Sequence, residues 1–191
     1  MDGYTYFVVN DGIPVQHVSG ISDKAVKPWN FSKEDFDEAV KGGLDILDTL
    51  LLRERLTDFE EKLLDALKLL SKASMAKELS DRLVYTLVAI ETVFLRDSNE
   101  PIQDKISHRM ALLQPVSVSE RREIVSNVKK AYALRSKFIH HGTDVSIDDI
   151  QDVEKFVFDA WISIYQVIQL ARQNVTRHSF FEELDNRMVA G

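Results

Sequence analysis

Cysteine is absent from this 191-residue chain. That excludes disulfides and thiolate chemistry, and it fits a reducing cytoplasm, the expected location. The chain also lacks any run of about 18 or more uncharged apolar residues, so neither a membrane span nor a membrane partner is expected. Its opening, Met1-Asp2-Gly3-Tyr4, has no basic stretch followed by an apolar one, so no secretory signal is expected. No G-x-x-x-x-G-K-[ST], G-x-S-x-G or G-x-G-x-x-G occurs, which removes nucleotide-binding and hydrolase motifs of those kinds. Internal repeats, low-complexity tracts and long linkers are missing as well.

What is present is enough apolar material for one sizeable core. Hydrophobic residues make up 45% of the chain and the mean hydropathy is -0.17. The net charge is -7, which argues against general nucleic-acid binding, because neutralising phosphates needs Lys and Arg. One segment runs against that balance. Between residues 120 and 141 the bases are Arg121, Arg122, Lys129, Lys130, Arg135 and Lys137, and the acids are only Glu120 and Glu123. A locally basic helix on an acidic protein suits a confined anionic ligand.

Residues 1–30 read differently from the rest. Tyr4 to Val9 is aromatic and β-branched, Asn10-Asp11-Gly12 signals a turn, and Ile13 to Val18 is a second apolar stretch. The expectation is a short hairpin or extended arm, or the edge of another domain. Helical spacing dominates residues 31–176, the expected core domain. Gly42-Gly43 interrupts its first run. Thr57 with Glu60, and Ser117 with Glu120, are capping boxes. Ser146 and Asp149 stand where the last long helix begins, and Ile150, Val153, Val157, Trp161, Ile164, Ile168 and Ala171 follow at helical spacing. Residues 177–191 read as a polar tail that frays. The fold expected is all-α, an antiparallel bundle of about five helices with an N-terminal arm.

Two charges fall among apolar stripes. Glu91 lies between Leu87 and Phe94, and Arg109 shares a face with Ile102, Ile106 and Leu113. An unpaired buried charge is costly, so the two are expected to pair with each other.

Chemistry concentrates in Arg135-Ser136-Lys137-Phe138-Ile139-His140-His141-Gly142. The stripe Ile124, Val128, Tyr132, Arg135, Ile139 carries the arginine on the apolar side of its helix, and Gly142 is placed to end that helix. Arg135 and His140 are five positions apart, so they converge only if the helix loosens or ends between them. A histidine at a helix C-terminus is favoured as the cation by the macrodipole. Together these residue types suit RNA cleavage without a metal. Histidine moves the proton of the attacking 2′-OH or of the leaving 5′ oxygen, and a guanidinium holds two phosphate oxygens. A symmetric dimer would bring two of each to one cleft. A plainer reading is equally open: Arg135 caps helix-end carbonyls or pairs with Glu91, and His140 interacts with the helix dipole. His140-His141 with Asp144, Asp148 and Asp149 offers metal donors, but adjacent histidines rarely chelate one ion from a helix and the acids suit helix starts. No metal or other cofactor is expected.

The arrangement resembles the HEPN superfamily, and the Apea-like HEPN group in particular. The resemblance rests on the R-x4-H motif from Arg135 to His140, and on two further blocks in order: Ala89-Ile90-Glu91-Thr92-Val93-Phe94-Leu95 and Ser107-His108-Arg109-Met110-Ala111-Leu112-Leu113. It covers residues 32–172. It implies a helical bundle that dimerises through the motif-bearing helices. It also implies metal-independent endoribonuclease activity in many members, with RNA as substrate and an antitoxin or antiphage-defence protein as a partner class. Arg135 and His140 then inherit the catalytic roles, with Ser136, Lys137, His141, Glu91 and Arg109 as auxiliary candidates. Ser136 stands where active members often carry Asn, Asp or His. Other members of the superfamily bind RNA or a protein partner without cutting, and that is the alternative function.

Overall fold

Helices begin where the capping signals are strongest. The Thr57 hydroxyl accepts from the Glu60 amide at 3.3 Å, and the Glu60 carboxylate accepts from the Thr57 amide at 2.8 Å. Two donors that a helix start leaves without partners are thereby satisfied. Ser117 and Glu120 repeat the exchange at 3.3 and 2.8 Å. In this computed structural model the described residues are 5–9, 13–17, 32–40, 45–97, 99–141, 149–171 and 175–190. The Asn10–Gly12 turn, the Gly42-Gly43 break, the Gly142 stop and the Ser146 cap lie outside them.

The chain divides into two units, Met1–Gly42 and Gly43–Gly191. The first contains strands β1 (Thr5–Val9) and β2 (Ile13–His17), paired antiparallel with Phe7 opposite Val15, and helix α1 (Lys33–Ala39). The division falls at the glycine pair, so α1 groups with the N-terminal unit; the expected boundary was residue 30.

The second unit is a helical bundle. Its helices are α2 (Asp45–Leu52), α3 (Asp58–Met75), α4 (Leu79–Phe94), α5 (Ile102–Leu113), α6 (Val118–His141), α7 (Ile150–Ala171) and α8 (Arg177–Ala190). The described residues thus hold more helices than the five or so expected. α3 packs on α4, α5 on α6, and α7 against both α4 and α6. Period-3.6 stripes supply the core: Phe59, Leu63, Ala66 and Leu70 from α3, Leu83, Leu87, Ile90 and Phe94 from α4, and Val153, Phe156, Ala160, Ile164 and Val167 from α7. Each Val, Leu, Ile or Phe among them stabilises the fold by roughly 1.5–3 kcal/mol when fully buried. Among the described residues no helix is long and apolar enough to cross a membrane.

Two expectations need correction. The segment from residue 177 on does not fray: it forms α8 and buries Phe180, Phe181 and Leu184. Phe180 lies 5.1 Å from Phe59 and 6.3 Å from Phe94, ring to ring, so α8 closes the end of the core where α3 and α4 meet. The second correction concerns α6. Ile124 and Val128 are buried, yet Ile139 is 55% exposed. The inward line over the last turns runs through Ala131 and Leu134, and Ile139 is five positions past Leu134, well round the helix from it.

Candidate functional site

Glu91 sits near the end of α4 and faces α6. Tyr132 and Arg135 stand three residues apart on α6, so they share a face and both reach that carboxylate. The Tyr132 hydroxyl donates to Glu91 Oε1 at 3.0 Å, and Arg135 Nη1 donates to the same oxygen at 3.4 Å. The cluster lies at the rim of the bundle, with side-chain exposures of 32% for Arg135 and 20% for Glu91. Burial, reinforced by the Glu91 charge, pushes the Tyr132 phenol far above its ordinary value, so it stays protonated and remains a donor. Arg135 Nε is buried and, among the described residues, has no hydrogen-bond partner.

Helix α6 continues unbroken through His141, so it neither loosens nor ends between Arg135 and His140, the condition for the two to converge within one chain. Five residues of α-helix turn His140 about 140° round the axis from Arg135. The side chains of His140 and His141 lie outside the described residues. Ser136, Lys137 and Ile139 are exposed on the final turns of α6.

Glu91 and Arg109 do not pair. Arg109 is fully buried, as its place among apolar residues implied, but it faces α8 and the α4–α5 connection. Its two terminal nitrogens each donate to Glu100 at 2.7 Å, and Nη1 also reaches the carbonyl of Phe94 at 2.7 Å. Asp185 of α8 lies 3.3 Å from Nη2. Above them the Phe181 ring takes the guanidinium of Arg109 at 4.6 Å and those of Arg96 and Arg177 at 5.4 Å each. Arg109 thus belongs to a lock between α5 and α8, and not to the Arg135 cluster. Sequence reasoning missed Glu100 and Asp185. The signal for Asp185 was the Phe180, Phe181, Leu184 spacing around it.

Among the described residues, three of the six bases in the basic stretch, Arg135 with Glu91 among them, are matched by acids from neighbouring helices. Lys129 binds Asp104 at 2.8 Å and Lys130 binds Asp152 at 2.9 Å. A second constellation, also unforeseen, lies deeper. Asn127 of α6 donates to the Asp159 carboxylate at 2.9 Å, and Gln114 donates to the Asp159 carbonyl at 3.1 Å and to Ser163 at 3.0 Å. Burial raises the Asp159 carboxyl above the ordinary carboxylate range, against the lowering effect of Asn127 and Lys155.

A groove of about 360 Å³ opens elsewhere, lined by Arg53, Asp58, Phe59, Arg177 and His178 among others, and none of the expected site residues lines it. Its polar groups already have partners: Arg53 binds Glu60, Arg177 lies 3.9 Å from Asp58 and the His178 ring lies 3.2 Å from Glu182. Among the described residues no three His, Cys, Asp or Glu side chains gather as a metal site. In comparisons with family models, curated proteins and solved structures, the chain matches none.

Proposed function

We propose that this protein is a metal-independent endoribonuclease of the HEPN type, acting as a homodimer on RNA through Arg135 and His140. The observation that carries the reading is the state of the Arg135 guanidinium. It is one-third exposed, and among the described residues its side chain is held by one long bond to Glu91, which leaves donors for a phosphate. His140, in the last turn of α6, is the proton-transfer group of this reading. Within one chain the two positions diverge round a continuous helix, so joint action on one phosphodiester calls for a second copy. The 2′-OH attacks the adjacent phosphorus as a histidine takes its proton, the P–O5′ bond breaks to leave a 2′,3′-cyclic phosphate, the departing 5′ oxygen receives a proton from a histidine, and arginine balances the developing charge. An antitoxin or an antiphage-defence protein is the partner class that accompanies this reading.

One observation favours the alternative, a non-catalytic RNA-binding or protein-partner module. Glu91 neutralises Arg135, and Asp104 and Asp152 neutralise two neighbouring lysines. Cleavage of a mixed RNA pool in EDTA separates the two. The expected result is cutting by the wild type that leaves 2′,3′-cyclic phosphate ends and disappears in His140→Ala. An intact pool with both proteins favours the module. Equal cutting by both places the activity outside this site.

A further inference from the structure

We infer that Glu91, steadied by Tyr132, is a positioning residue that fixes which edge of the Arg135 guanidinium meets a phosphodiester. The inference rests on the endoribonuclease reading. Two side chains of α6 converge on one oxygen atom of α4: the Tyr132 hydroxyl at 3.0 Å and Arg135 Nη1 at 3.4 Å both address Glu91 Oε1. Arg135 Nε is buried, and among the described residues it has no partner, so the side-on edge formed by Nε and Nη2 is closed to a ligand. The edge that remains is the end-on pair Nη1 and Nη2. Nη1 carries two hydrogens, one for Glu91 and one for a phosphate oxygen. A guanidinium anchored at one corner presents two parallel donors to phosphate without first losing side-chain freedom.

The contact has little value as a fastener. A long, one-point ion pair at a rim contributes little to stability, and α4 is already seated by buried Leu87, Ile90 and Phe94. What it restricts is orientation. Tyr132 restricts it further, because a buried phenol that keeps its proton holds the carboxylate in one rotamer.

The test is steady-state cleavage of a single-stranded RNA in EDTA by the full chain, with melting curves for every variant. Glu91→Ala and Tyr132→Phe are expected to lower kcat by about 10- to 100-fold with KM changed little, the size of loss that misplacing a reacting group produces. Glu91→Gln keeps an oxygen that accepts both bonds and is expected to restore most of kcat. A merely structural contact would move the melting temperature and leave the kcat of the folded fraction alone. Should Glu91→Ala melt below the assay temperature, Tyr132→Phe and Glu91→Gln decide the matter. Wild-type kcat in Tyr132→Phe and Glu91→Ala overturns the inference. So does a lower KM at unchanged kcat in Glu91→Ala, which would make Glu91 a competitor for the arginine. If the wild type cuts, and Arg135→Ala does not, while Glu91 proves dispensable, only the positioning role fails. If the wild type leaves the RNA intact, the endoribonuclease reading fails and takes this inference with it.

Discussion

Replacing Arg109 with methionine should unfasten α8 from the bundle. Methionine fills the space of the arginine stem with a flexible apolar chain, so the change removes the guanidinium more than the packing. Lost with it are two 2.7 Å bonds to Glu100, one of 2.7 Å to the Phe94 carbonyl, the 3.3 Å contact to Asp185 and the cation–π contact on Phe181. Breaking a buried ion pair by removing one partner costs about 3–5 kcal/mol. The lower end is expected here, because Asp185 keeps Arg96 at 3.3 Å and the loss concentrates on Glu100. At roughly 2–4 °C per kcal/mol for a chain of this size, about 3 kcal/mol lowers Tm by about 6–12 °C.

The pH dependence follows from Glu100. Hydrogen bonds from Arg109 hold its carboxyl below the ordinary value of 4.5, against the effect of burial. A depressed carboxylate contributes stability above its unfolded value and loses it as pH falls through the folded value. The gap between wild type and Arg109→Met should therefore be wide at pH 7 and narrow below pH 4.5. Circular-dichroism melts across that range test this, with amide exchange along α8 as a second readout. Adding Glu100→Gln to Arg109→Met should recover part of the loss, since the stranded charge is then gone. A Tm loss under about 2 °C at pH 7, or a gap that does not close in acid, would refute the lock.

Asp159 should behave in the opposite sense. Burial raises its carboxyl, so the charged form costs stability above the ordinary value of 3.8, and that cost vanishes as pH falls through the folded value. Asp159→Asn keeps an oxygen for Asn127. It should melt at or above wild type at pH 7 and lose the advantage toward pH 4; a variant that melts well below wild type at pH 7 would disprove the assignment. Phe180→Ala empties a site bounded by Phe59, Phe94 and Phe181 and should cost about 3–5 kcal/mol by urea unfolding. A loss below about 1 kcal/mol would mean that α8 contributes little to the core.

The two capping boxes and the apolar stripes of α3, α4 and α7 were legible because they depend on neighbours three and four residues away. The Arg135 stretch was legible as a place where chemistry gathers, and the plainer expectation of an Arg135–Glu91 pair is what the structure holds. Other partners were not legible. Placing Glu91 and Arg109 on apolar faces limited each to a buried or rim position without saying across which helix it looked. α8 was missed because its charged residues outweigh three well-spaced apolar ones, and average polarity hides a narrow stripe.

The sequence by itself determined the helical class, the helix starts at residues 57 and 117, the absence of disulfides and the burial of Arg109. All of these follow from composition, from apolar spacing along one helix or from hydrogen bonds closed within one turn. The tertiary structure alone decided that Glu91 serves Arg135 while Arg109 serves Glu100 and Asp185. It alone decided that a polar-looking segment seals the core, and that Asn127 meets Asp159. An ion pair or hydrogen bond requires atoms about 3 Å apart on different helices. That separation depends on how each helix is rotated about its axis once the core has packed, a quantity that no local spacing encodes.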